Sequence, residues 1–141
     1  MLIGNYKNLH VKNIIYTLCI AAFALSCSKS PGVGGKATIK GKVEAIYVKE
    51  GSFDTLEVSA VPDHRVYIVY GGGISQDDDY RTSPDGSYKF EYLNPGDYKI
   101  YTYSDSKLDV SGLVEVAQNV NVGKKETEVV VPAIQIIQYV K

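Results

Sequence analysis

Apolar and polar residues alternate singly along most of the chain. Tyr88, Phe90 and Tyr92 alternate with Lys89 and Glu91, and Tyr98, Ile100 and Thr102 alternate with Lys99, Tyr101 and Tyr103. A period of two belongs to a strand with one buried face. Ser83-Pro84-Asp85-Gly86 precedes the first run, and Asn94-Pro95-Gly96-Asp97 joins it to the second. Both are turn sequences, so the segment is expected to form a β-meander whose apolar face seeks a second sheet.

The same reading extends in both directions. Ile39, Gly41, Val43 and Ala45 alternate with Thr38, Lys40, Lys42 and Glu44. This predicts a first strand over 37–48, with a bulge or a close backbone approach at Gly41. A second, less regular strand is expected over Thr55–Val61, and Arg65–Tyr70 is dense enough in β-branched and aromatic residues for a central strand. Gly71–Asp79 reads as the longest loop, polar and glycine-rich. Leu113–Val122 alternates loosely, and Glu128–Ile137 reads as a last strand that Pro132 confines to an edge or a bulge. No helical periodicity occurs after residue 26. The expected fold is therefore all-β, a Greek-key sandwich of seven to eight strands over 37–141, and its roughly 105 residues are an ordinary size for one.

Composition fits this picture. Twelve tyrosines accompany three phenylalanines and no tryptophan. Tyrosine suits strands that are apolar at the ring and wet at the hydroxyl. Fifteen basic residues against sixteen acidic ones leave no field that would recruit nucleic acid.

The first residues differ. Lys7 and Lys12 precede the apolar run Ile14–Leu25, the layout of a helical signal peptide over residues 1–26 that is too short for a permanent span. Ala24-Leu25-Ser26-Cys27 resembles the lipobox of bacterial lipoproteins, with Ala24 where that family usually has Leu. The resemblance implies cleavage before Cys27 and acylation of its thiol and new amino terminus. Multiple acyl chains give stable anchoring. An ordinary secretory peptide, or a retained helix, is the alternative. The other cysteine, Cys19, lies in the removed segment, so the mature chain has no disulfide partner. Removal of Lys7 and Lys12 leaves 13 basic and 16 acidic residues, which makes lipid rather than charge the membrane tie.

Residues 27–36 are then the lipidated cysteine and a Gly/Ser/Pro tether that spans roughly 15–18 Å as a coil. The arrangement resembles surface-exported lipoproteins of the Bacteroidetes, which tend to carry acids directly after the cysteine; here the first is Glu44. The expected location is the outer membrane of a Gram-negative envelope, with the periplasmic and surface faces both open.

The pattern Thr82-x-x-Asp85-Gly86-x-Tyr88-x-Phe90-x-x-Leu93-x-Pro95-Gly96-x-Tyr98-x-Ile100, preceded by Ile39-Lys40-Gly41-Lys42-Val43, resembles the carboxypeptidase regulatory-like domain. That family belongs to the prealbumin-like (transthyretin-like) sandwiches and is related to Cna-B repeats. The physics of the residues agrees. Gly86 and Gly96 suit turns with positive φ, Pro95 presets a turn, and Tyr88, Phe90, Leu93, Tyr98 and Ile100 fill a core. The motif is a scaffold.

Prealbumin-like hydrolases and dioxygenases need several histidines, whereas His64 alone follows residue 26, and it reads as a solvated loop residue. Cna-B domains cross-link a first-strand lysine to a last-strand asparagine. Lys40 and Lys42 are present, but 128–139 holds no asparagine. Asp77, Asp78, Asp79 and Asp85 are oxygen ligands of the type calcium takes, without a recognisable ligand spacing. No cofactor and no enzymatic activity are expected. The leading expectation is a non-catalytic, membrane-anchored accessory module that meets a protein partner of the envelope, in one form by strand addition at the Pro132 edge. The alternative is a glycan-binding lipoprotein that stacks sugars on Tyr67, Tyr101 or Tyr103.

Overall fold

The computed structural model describes residues 30–52 and 54–141. The signal peptide and Cys27 lie outside these residues. The described chain is all-β and has nine strands: β1 (Val33–Lys49), β2 (Thr55–Ala60), β3 (Arg65–Tyr70), β4 (Asp78–Arg81), β5 (Ser87–Leu93), β6 (Gly96–Asp105), β7 (Leu113–Val122), β8 (Glu128–Val130) and β9 (Ile134–Val140). One sheet is organised on β1. Its first half pairs with β5 and its second half with β2, both antiparallel, while β8 and β9 follow one another along its other side, both parallel. The second sheet has the order β4-β3-β6-β7. The chain crosses between sheets after β2, β4, β5 and β7, so a two-sheet sandwich results.

The core follows from the alternation. Ile39, Val43 and Ala45 of β1 are fully buried, and Val66, Ile68, Ile100, Ile134 and Ile136 meet them from both sheets. Each of these valine and isoleucine side chains contributes roughly 1.5–3 kcal/mol through burial. Tyr88, Phe90, Leu93 and Tyr98 of the motif are all buried among them.

Four expectations need correcting. First, β5 and β6 do not form a meander; they lie in different sheets, and Asn94-Pro95-Gly96 is the corner between the layers. Tyr92 takes φ 61°, which shifts the β1–β5 register, throws its own ring out to 71% exposure and gives the core place to Leu93. Second, residues 31–36 are not a free tether. Pro31 packs on Gly96, where φ is 149° and a Cβ would come within 2.5 Å of the proline ring. The Asn94 side chain donates to the carbonyls of Ser30 and Val33, and β1 begins at Val33.

Third, Asp78 and Asp79 are not in a loop. They pair with Ile68 and Tyr67 as the edge strand β4. Fourth, the last strand is divided. Val131 still donates its N–H to the Lys40 carbonyl at 2.8 Å, but Pro132 cannot donate, and the ladder restarts at Ile134. The edge position inferred from Pro132 is the one observed.

Candidate functional site

Outward positions on β3 and β6 assemble an aromatic cluster on the second sheet. Tyr67 and Tyr101 stand opposite each other in register, and their rings stack with centroids 5.0 Å apart and planes 21° from parallel. Tyr103 lies two residues further along the same face of β6. Its ring is edge-on to both, 5.9 Å from Tyr67 and 5.8 Å from Tyr101. All three candidate tyrosines are thus brought together. They are unequal, however. Tyr101 is covered by its neighbours to 8% exposure, whereas Tyr103 is 41% exposed.

The cover over Tyr101 is polar. Lys99 Nζ sits 5.1 Å from its ring centroid and pairs with Glu115, and the Tyr101 hydroxyl donates to Gln76 Oε1 at 3.4 Å. Burial, with help from Tyr103 and Glu115, holds the hydroxyl above its ordinary pKa. Tyr101 is therefore a neutral structural post, and Tyr103 offers the accessible ring.

Beside Tyr67 and Tyr103 opens a cleft of about 290 Å³ that Asp63, Arg65, Arg81 and Asp105 also line. Arg81 is fixed there by bonds from Nη1 to the Asp63 carboxylate at 2.9 Å and the Asp63 carbonyl at 3.2 Å. Asp63 adopts φ 54°, which turns the chain so that its side chain meets β4.

His64 forms part of this cleft and is not the solvated loop residue expected. The Thr102 hydroxyl donates to the Arg65 carbonyl at 2.7 Å, so at 2.7 Å from His64 Nε2 it can only accept. Nε2 consequently carries a proton. Thr82 Oγ1 receives the His64 N–H at 2.8 Å and donates to the Val61 carbonyl. Burial lowers the imidazole pKa, opposed by the Tyr103 carbonyl and by Asp105. A donor imidazole facing an already committed hydroxyl is a structural bond. It is not a base activating a nucleophile.

The acidic residues are dispersed. Asp77 accepts the Tyr70 N–H at 2.7 Å, Asp78 the Asp79 N–H at 2.8 Å, and Asp79 lies 3.5 Å from Arg65 Nε. Asp85 caps its own turn by accepting from Ser87 N–H and Oγ, bonds that lower its pKa. Among the described residues no three His, Cys, Asp or Glu side chains converge as a metal site. Lys40 and Lys42, the candidate cross-linking lysines, form exposed ion pairs with Glu128 and Asp85.

Sequence reasoning singled out the tyrosines from their alternation. It missed Asp63, Arg65, Arg81 and Asp105, which lie in three different segments and meet only through strand pairing. Gly86, at φ 75°, and Gly96 hold the turns anticipated for them.

No family model matches the chain, and no curated protein matches it. Two solved structures resemble it in fold. One is a Pseudomonas aeruginosa protein described as a candidate carbohydrate binding protein, 12% identical, with a TM-score of 0.44 over 79% of this chain and 95% of that one. The other is the minor pilin GBS52 of Streptococcus agalactiae, 13% identical, with a TM-score of 0.42; the match covers 79% of this chain but 47% of the pilin.

Proposed function

We propose that the chain is a non-catalytic binding module of the bacterial envelope, carried on a membrane by lipid on Cys27 and built on a carboxypeptidase regulatory-like sandwich, and that the cleft beside Tyr103 takes a glycan. The observation that supports this most is the pairing of a half-exposed aromatic ring with fixed planar charged groups. The C–H face of a pyranose packs on a tyrosine ring, while its vicinal hydroxyls suit carboxylate and guanidinium forks such as Asp63, Arg81 and Arg65. The full chain in detergent micelles, screened on a glycan array, is expected to bind a restricted set of sugars, and Tyr103→Ala should abolish the signal. Equal binding by the variant, or no binding to any glycan, would sink the reading.

A protein partner is the second reading, favoured by the loop between β6 and β7. Leu108 and Val110 are fully exposed there, and large apolar side chains left wholly in water at a loop tip suit an interaction site. In-cell cross-linking from position 108 tests it: repeated recovery of one envelope protein supports it, and recovery of none removes it.

A further inference from the structure

A second cavity, of about 480 Å³, opens on the other sheet at the break between β8 and β9. There Gly41 and Lys42 of β1 lie between the stretch paired with β8 and the stretch paired with β9. Val131 and Ala133 of the break line it together with Val130 at the end of β8, Tyr80 and Tyr88. Its size falls within the roughly 300–1,000 Å³ of small-molecule sites.

Two features mark it as more than a packing fault. Tyr88 is 2% exposed, yet its hydroxyl has no hydrogen-bond partner among the described residues. That hydroxyl lies over Gly41, its partner in the β1–β5 register, so closely that a Cβ there would come within 2.5 Å of the oxygen. Gly41 also lines the cavity. Leaving a buried polar group unpartnered is costly. Burial pushes the Tyr88 pKa up to about 12, so the hydroxyl, closed to solvent in this structure, keeps its proton and its unused donor.

The second feature is the cationic rim. Lys40, Lys42 and Lys89 all border the cavity, and Lys40 stands directly opposite Lys89 in register. Like charges in that position repel. Each lysine has an acidic partner (Glu128, Asp85 and Glu91), but these pairs are exposed, and the Lys42–Asp85 contact is loose at 3.5 Å. Exposed pairs of this kind are individually weak, so a competing carboxylate can displace them.

We propose that this cavity binds a small aromatic carboxylate that carries an acceptor oxygen at the end remote from its charge. The carboxylate lies at the lysine rim, nearest Lys42. The ring packs against Val131, Ala133 and Tyr80, and the remote oxygen receives the Tyr88 hydroxyl. The site is independent of the Tyr103 cleft, so either assignment can fail alone.

The test uses the full chain in micelles and three probes: 4-acetylbenzoate, benzoate, and neutral 4-acetylbenzamide, each titrated by amide chemical shifts. 4-Acetylbenzoate is expected to bind with Kd about 1 mM or tighter and to shift Gly41, Lys42 and Val131. Tyr88→Phe should weaken it about tenfold and leave benzoate unchanged, the effect of one lost hydrogen bond. Lys42→Gln should weaken both carboxylates, and the amide should bind less well than the acid. If a trapped water alone satisfies Tyr88, wild type and Tyr88→Phe will bind all probes alike, and the proposal fails. It fails equally if those amides do not move. Should Tyr88→Phe not fold, equal affinity for acid and amide in the wild type, or no effect of Lys42→Gln, overturns it.

Discussion

The Tyr98 hydroxyl accepts the backbone N–H of Gly32 at 3.0 Å and so joins residues 66 positions apart. It donates in turn to the Asn94 carbonyl at 2.6 Å, and Asn94 N–H donates to the Gly32 carbonyl at 2.8 Å. The three residues close a ring of hydrogen bonds where β1 begins. Tyr98→Phe keeps the packing but strands a buried N–H, a loss of about 1–3 kcal/mol. Urea unfolding should show that loss, and limited proteolysis should newly cut before residue 37. Unchanged stability and an unchanged cleavage pattern would remove the ring as the clamp.

His64 predicts a pH dependence. Burial lowers its folded pKa beneath the 6.5 of an ordinary imidazole, so below pH 6.5 the unfolded chain binds the extra proton first. Its neutral form therefore favours folding fully above that pH, and the contribution is lost as pH falls from 6.5 towards the folded value. Urea midpoints measured from pH 8 to pH 5 should decline through this window, and His64→Gln should flatten the slope. A slope identical in the variant would assign the decline to other groups.

Tyr101 and Tyr103 separate stability from binding. Tyr101→Ala removes a covered ring and should lower stability by about 3 kcal/mol, in the range of buried aromatic truncations. Tyr103→Ala should cost less than about 1 kcal/mol, because the ring is half in water already, while ending glycan retention. Thermal unfolding and the glycan array together read both effects. The reverse ranking would show that the ring cluster serves only the fold.

The outer edge of β9 is sealed by side chains of β6. Ser104 Oγ accepts the Ile137 N–H at 2.8 Å, and Asp105 Oδ2 accepts the Tyr139 N–H at 3.0 Å. Free strand edges invite pairing with other chains. The double change Ser104→Ala, Asp105→Ala should speed amide exchange at positions 137 and 139 and produce concentration-dependent association in sedimentation. A variant that stays monomeric, with unaltered exchange, would contradict the capping role. The caps also confine any strand addition near Pro132 to the β8 side of the break.

Local periodicity carried much of this architecture into view. The inward set Tyr98, Ile100, Thr102 and the outward set Lys99, Tyr101, Tyr103 are both where alternation puts them, because β6 is regular throughout. Alternation could not foresee Tyr92, since a single positive φ shifts register without any change of pattern. It could not foresee the corner at Asn94–Gly96 either, because a turn sequence joins two strands of one sheet or of two equally well. The cleft was illegible for a different reason. Arg65 and Arg81 are neighbours only through the β3–β4 register, and His64 meets Thr102 across 38 positions.

The clamp on Gly32 sets a distance. With Pro31 fixed on the domain, only Ser28, Lys29 and Ser30 separate it from Cys27, a leash of about 14 Å at full stretch. An acyl group at that cysteine would press the Asn94 corner against the headgroups. β6 runs away from this corner, and Tyr103 stands seven residues beyond Gly96, about 23 Å at the rise of a strand. Were Cys27 acylated as proposed, so short a mooring would fix bearing as well as position: the Asn94 corner of the sandwich would face the bilayer, and the ring of Tyr103 would look out to sea.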